Sequence, residues 1–186
     1  MKLSDYVIQF LAKQGIKHVF AITGGASVHL IDSASKTPGI DYICPQHEQA
    51  GAMMADAYSR VTGNLGAAIS TSGPGATNMI TGVCCSFYDS VPAIYITGQV
   101  STFRMKETLG IRQLGFQETD TVDIFKPVTK YAVLVKDVSD IRYELEKAVH
   151  IAKSDRPGPV VVDIPDNLQR EDINPDELRP FIPETK

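Results

Sequence analysis

One carboxylate in this chain is placed to do chemistry. His47 and Glu48 follow Pro45 and open the run Gln49-Ala50-Gly51-Ala52-Met53-Met54-Ala55-Asp56-Ala57-Tyr58. Residues 49–53 offer no lysine or arginine to pair with Glu48, and they are mostly small or apolar. A carboxylate there is expected to be partly desolvated, which suits a group that exchanges a proton near neutral pH. The competing reading is an acid in a helix first turn, favoured by a few tenths of a kcal/mol through the helix dipole. A metal pair with His47 is disfavoured, because adjacent helical residues point in different directions.

A second constellation is Thr71-Ser72-Gly73-Pro74-Gly75-Ala76-Thr77-Asn78. It fails as a dinucleotide fingerprint, since the third glycine would fall at Asn78, and it lacks a phosphate-binding lysine. It keeps close backbone approach and a polar amide in the first turns of a helix. That suits a neutral polar heterocycle; a plain strand-to-helix turn is the alternative. His18, His29 and His150 are scattered and receive no role, and no G-x-S-x-G elbow occurs.

The elements that must position these groups alternate along the chain. Ser4 is expected to cap a helix with Val7, Phe10 and Leu11 on its apolar face. A strand at 18–22 meets the turn Thr23-Gly24-Gly25, and a short helix holds Val28, Leu30 and Ile31. A strand at 41–44 leads to the Glu48 helix, whose apolar stripe reads as Ala50, Met54, Ala57 and Val61. Further strands are expected at 66–71, 92–97, 131–135 and 158–165. A helix runs through Met79, Val83 and Phe87, another spans 138–154, and a helical turn lies within 118–125. The connection 98–117 has no clear period, and loops of that length are usually functional or mobile. The pattern predicts a three-layer α/β/α fold with a mainly parallel sheet of about six strands. Ligands of such sheets bind at the C-terminal strand edge, where Glu48 falls.

Composition narrows the class. The chain has 186 residues, 43% of them hydrophobic and 22% charged, with a net charge of −4. That fits one domain over residues 1–168, followed by a proline-containing stretch, 169–186, read as a linker. The acidic balance and the lack of a Lys/Arg cluster argue against nucleic acid or an anionic membrane as partner. No apolar run reaches membrane-spanning length, and the N-terminus lacks a signal-peptide pattern. Cys44, Cys84 and Cys85 have no zinc-like spacing and read as thiols in a reducing, cytoplasmic setting.

Six segments in register carry a family resemblance. His47-Glu48-Gln49-Ala50, Thr71 through Asn78, Asp89-Ser90-Val91-Pro92, Ile96-Thr97-Gly98-Gln99-Val100, Phe116-Gln117-Glu118-Thr119 and Arg156 through Pro165 occur in that order. Together they resemble the N-terminal, pyrimidine-binding domain of thiamine diphosphate enzymes, acetolactate synthases above all. The resemblance implies that Glu48 bonds N1′ of the cofactor's aminopyrimidine, the step that prepares C2 of the thiazolium to attack a 2-oxo acid. It gives Glu48 and Gln117 catalytic roles. It places Thr23, Gly24, Gly25, Thr71, Pro74 and Asn78 along the cofactor, and Phe116, Gln117 and Lys130 toward the substrate. It further implies magnesium, with ligands in a C-terminal domain that carries a Gly-Asp-Gly motif not found here. A homodimer or homotetramer follows, with the diphosphate-binding domain of the same enzyme completing the site. The chain then reads as a fragment of a longer protein or one subunit of a split enzyme, the linker favouring a fragment.

Two departures stand out. Thr23 and Ile22 replace the proline and tyrosine usual in the synthases, and residues 101–115, with Arg104, Lys106 and Arg112, form a longer connection. A thiamine-dependent decarboxylase or oxidase, and a non-catalytic assembly module, are the alternatives.

Overall fold

A strand that is apolar at nearly every position needs cover on both faces. The computed structural model, which describes residues 1–106 and 109–183, supplies that cover. Six strands, β1 His18–Ala21, β2 Asp41–Ile43, β3 Gly66–Ser70, β4 Ala93–Gln99, β5 Tyr131–Leu134 and β6 Pro159–Pro165, form one parallel sheet. Their order is β2-β1-β3-β4-β6-β5. Helices α1 Leu3–Lys13, α2 Val28–Lys36 and α7 Ile141–Lys153 pack on one face. Helices α3 Glu48–Thr62, α4 Pro74–Asn78, α5 Ile80–Asp89 and α6 Thr121–Phe125 pack on the other, and α8 Asp166–Gln169 follows β6. This is the three-layer α/β/α fold.

Alternation along the strands divides the core in two. Ile94, Ile96, Val160, Val162 and Ile164 point to α1, α2 and α7. Ala68, Ala93, Tyr95 and Val161 point the other way. Each fully buried Val, Leu or Ile stabilises the fold by about 1.5–3 kcal/mol. On the second face, glycines and alanines meet where α3 crosses β3 and α5, so α3 sits close there.

That closeness reverses the expected orientation of α3. Its buried face is Gly51, Ala52, Ala55, Asp56 and Ser59. The larger residues turn outward, Met53 being 37% exposed, Met54 39% and Val61 85%. A Cβ on Gly66 would lie 2.0 Å from the Ala55 carbonyl oxygen, and one on Gly82 would lie 2.5 Å from the Ala52 Cβ. Only small side chains allow α3 to approach β3 and α5 this closely. The bulky stripe Ala50, Met54, Ala57 and Val61 therefore does not face the sheet.

Two other expectations change. Helix α1 begins at Leu3, and Ser4 is buried inside it, accepting a hydrogen bond from Ser33 Oγ at 2.9 Å instead of capping. Residues 169–181, expected as a linker, pack on the domain. Leu3 N donates to Glu171 O at 2.9 Å and Ile173 N to Met1 O at 2.8 Å, while Ile173 and Leu178 join the core. Phe181 N donates to Glu146 Oε2 at 2.7 Å, and its ring stands edge-on to Tyr143 at 5.5 Å. The packed unit therefore runs past residue 168.

Candidate functional site

The C-terminal ends of β1, β2 and β3 converge at a point where the strand order reverses direction around β1, a common ligand position in open parallel sheets. Residue 48 arrives there because Pro45 stops β2 and α3 starts within a few residues. His47 is the N-cap: its Nδ1 accepts from Gln49 N at 3.1 Å, which removes it from any metal pair with Glu48. That capping role was not foreseen. A polar residue just before the helical run was the available signal.

Glu48 is partly buried, and its Oε2 accepts a hydrogen bond from Asn78 Nδ2 at 2.9 Å. Asn78 closes α4, so the two constellations meet in one contact. Between them lies Gly75, where a Cβ would stand 2.7 Å from Thr71 Cγ2 and 3.5 Å from Glu48 Oε1. The β1 turn closes the other side. A Cβ on Gly24 would fall 2.4 Å from the Thr71 Cβ, and Thr71 Oγ1 accepts from Ala26 N at 3.2 Å. Thr23, Gly25 and Pro74, their neighbours in sequence, are exposed.

Gln117 reaches the same place from the long connection. Gly73 and Gln117 both hold φ near +60°, and a Cβ on Gly73 would lie 2.8 Å from both Gln117 Cβ and its carbonyl oxygen. A positive φ is uncommon outside glycine and concentrates at functional sites. Phe116 beside it is 85% exposed.

Lys130 is not brought to this cluster. It precedes β5, at the N-terminal edge of the sheet, where its ammonium donates to the Ile151 carbonyl and to Ser154 O at 2.6 Å. There it satisfies carbonyls at the C-terminus of α7. Desolvation lowers its pKa, partly opposed by Asp155. Within this chain the expected substrate residue Lys130 thus lies apart from Glu48 and Asn78.

The helix carrying Glu48 is fastened by a buried network. Asp56 accepts from Arg60 Nε at 2.6 Å and from Ser86 Oγ at 2.8 Å, and Ser86 in turn bonds Tyr95 Oη at 2.8 Å. Arg60 also pairs with Asp89 at 2.7 Å. Helices α3 and α5 and strand β4 are thereby locked together.

A second polar group was overlooked. Asp163, within the apolar run of β6, is 1% exposed and accepts from Thr97 Oγ1 at 2.5 Å and Gln99 Nε2 at 2.9 Å. Burial pushes its carboxyl up to about 7, against the downward pull of bonds from Thr97, Gln99 and Thr121. An acid inside an otherwise apolar strand was the signal for it. Asp163 floors a cleft of about 840 Å³ whose lining includes Gln99, Lys106, Asp120 and Lys136 but neither Glu48 nor Asn78. The cleft is thus separate from the converging cluster.

The sequence matches the family model "Thiamine pyrophosphate enzyme, N-terminal TPP binding domain" over residues 1–124. The chain belongs to that family. Acetolactate synthase isozyme 3 large subunit of Escherichia coli is 42% identical over 179 residues, covering 96% of this chain and 29% of that protein. An acetolactate synthase large subunit of Haemophilus influenzae is 43% identical over 178 residues, 96% of this chain and 29% of the relative. Acetolactate synthase 2 of Nicotiana tabacum, a chloroplastic protein, is 40% identical over 183 residues, 97% of this chain and 26% of the relative. This TPP-binding domain therefore spans less than a third of the length of these curated relatives. No helix among the described residues is long and apolar enough to cross a membrane.

Proposed function

We propose that this domain is the pyrimidine-binding part of the active site of a thiamine diphosphate-dependent 2-oxo acid carboligase of the acetolactate synthase kind. The observation that carries the proposal is the Glu48–Asn78 contact inside a glycine-lined cradle. Asn78 takes one carboxylate oxygen at 2.9 Å. Oε1, near Gly75, has no hydrogen-bond partner among the described residues.

The residues present fit the aminopyrimidine of the cofactor. Gly24 and Gly75 let the two turns close on Thr71, where a Cβ would collide, and so bring backbone close to the place of the ring. Glu48 Oε1 holds or releases a proton at the ring nitrogen, and Asn78 fixes the carboxylate so that the proton moves along one direction. Thr71, with Thr23, Gly25 and Pro74 at the rim, limits where a flat ring can lie. Gln117 packs on Gly73 beside the exposed Phe116, which supports a place for both on the substrate side. Thiamine diphosphate supplies the carbanion chemistry of 2-oxo acid decarboxylation and ligation, which no side chain here can perform.

Magnesium and the diphosphate group are assigned to the portion of the protein outside this chain. The outward face of α3, with Met53, Met54 and Val61, supports a homodimer or homotetramer in which another subunit covers it. Cys44, Cys84 and Cys85 are all free thiols, which supports a reducing compartment such as the cytoplasm.

Glu48→Gln in the complete protein tests the reading. Consumption of pyruvate with thiamine diphosphate and magnesium is expected to fall by roughly 10²–10⁴-fold with the fold intact. Unchanged turnover would show that the domain only binds. Acetolactate as the product identifies a carboligase, whereas acetaldehyde or acetate would identify a decarboxylase or an oxidase.

A further inference from the structure

The described residues between β4 and α6 form a built scaffold, and among them the side chains of two arginines take no part in its hydrogen bonds. Its start is tied to α8: Ser101 Oγ donates to Asp166, Thr102 N donates to Asn167 Oδ1 at 2.9 Å, and Asn167 Nδ2 donates to Thr102 Oγ1 at 3.1 Å. Its end is gathered by Glu118, whose carboxylate accepts from Lys106 N and Leu114 N at 2.7 Å each and from Gly115 N at 3.3 Å. Lys106 Nζ bridges the middle, donating to Asp120 at 2.6 Å and to Arg112 O at 3.2 Å.

These bonds decide which charges remain. Glu118 is taken by backbone N–H groups and Asp120 by Lys106. Arg104 and Arg112 are exposed, and neither has a carboxylate partner among the described residues. Arg104's one described side-chain contact is its stacking near Phe103, at 5.7 Å from the ring centroid. Both arginines belong to the arc that delivers Gln117 to the cradle. A Cβ on Gly115 would lie 2.9 Å from Arg104 O, so the Arg104 backbone rests against the residue two before Gln117. Arg112 stands three residues before Gly115 and is held through its own carbonyl.

Guanidinium groups on a held backbone bind carboxylates in two-pronged fashion at a small ordering cost. Phe103, its ring centroid 5.7 Å from the Arg104 guanidinium carbon, covers one side of that group. We propose that Arg104 and Arg112 recognise a second carboxylate on the substrate, so that one of the two substrates is a dicarboxylic 2-oxo acid. This rests on the carboligase reading above, since it concerns the substrate side of the same site.

The test uses the complete protein with thiamine diphosphate, magnesium and pyruvate, and offers 2-oxoglutarate, oxaloacetate or 2-oxobutyrate as the second substrate. Wild type is expected to favour a dicarboxylic acid over 2-oxobutyrate in kcat/KM. Added salt should erode that preference. The double substitution Arg104→Ala with Arg112→Ala should lower the preference at least tenfold, about the loss of one charge-assisted contact. The lysine versions should lose less. A wild-type preference for 2-oxobutyrate, or a preference that the alanine versions leave unmoved, overturns the inference while pyruvate consumption upholds the carboligase reading. Loss of subunit association with no change in preference also overturns it, by assigning the arginines to an interface. Failure to consume any 2-oxo acid removes the carboligase reading, and the inference with it.

Discussion

Replacing Asp163 with Asn should change how the stability of this domain depends on pH. In the folded chain the Asp163 carboxyl keeps its proton up to about 7, whereas its ordinary value is 3.8. Three hydrogen bonds act to lower the value and complete burial acts to raise it, and burial wins. Between those two values the folded chain binds a proton that the unfolded chain has released. Stability contributed by this group is therefore full below about pH 4, declines as pH rises, and levels off above about 7. The slope is about 1.4 kcal/mol per pH unit, so the whole window amounts to roughly 4 kcal/mol. Asn keeps the size and neutrality of the protonated acid but cannot titrate. Urea unfolding of both chains between about pH 4.5 and 8.5 gives the difference directly, with other acids cancelling. Wild type should lose ground to Asp163→Asn as pH rises. A difference that is flat, or that favours wild type at higher pH, would mean the hydrogen bonds outweigh desolvation and would refute the reasoning.

Asp56→Ala should destabilise the domain by about 2–3 kcal/mol, because it removes charge-assisted bonds to Arg60 and Ser86. A urea midpoint close to wild type would show that Arg60–Asp89 alone holds α3 and α5 together. Val61→Glu, at a position 85% exposed, should leave the stability of this chain within about 0.5 kcal/mol. In the complete protein the same change should weaken subunit association in sedimentation measurements, and undisturbed association would place the interface elsewhere.

Much of the sheet could be read from residue types, since a parallel strand buried on both faces announces itself as a mostly apolar run. The runs at 66–70, 93–99 and 159–165 are all buried at every position. Helix α3 misled for the opposite reason. Periodicity weights large apolar side chains, but the side that meets the sheet is Gly51, Ala52 and Ala55, chosen for smallness. The apolar stripe recorded an outward surface. At the site, Glu48 stood out by its lack of cationic neighbours, but its partner Asn78, thirty residues away, came together with it only through the family resemblance. Lys130 was carried over from that resemblance, and nothing local to it revealed that it sits at the far edge of the sheet. The anchoring of Ser101, Thr102 and Lys106 by Asp166, Asn167 and Glu118 is long-range and leaves no periodic trace.

The contact of Ala55 with Gly66 makes the placement of the Glu48 helix discrete. A slip of one residue would set the larger Met54 or Asp56 where Ala55 now lies, its backbone so close to Gly66 that the strand residue has no space for a Cβ. Small sliding adjustments are blocked by the same backbone contact and by Gly82 on α5. The carboxylate is thus either in register or displaced with its whole helix, and it does not creep to suit what binds. Substitutions that retune such a site have little latitude on the α3 side. Under the proposed function, latitude lies instead with the described residues between 100 and 118, many of whose side chains are exposed.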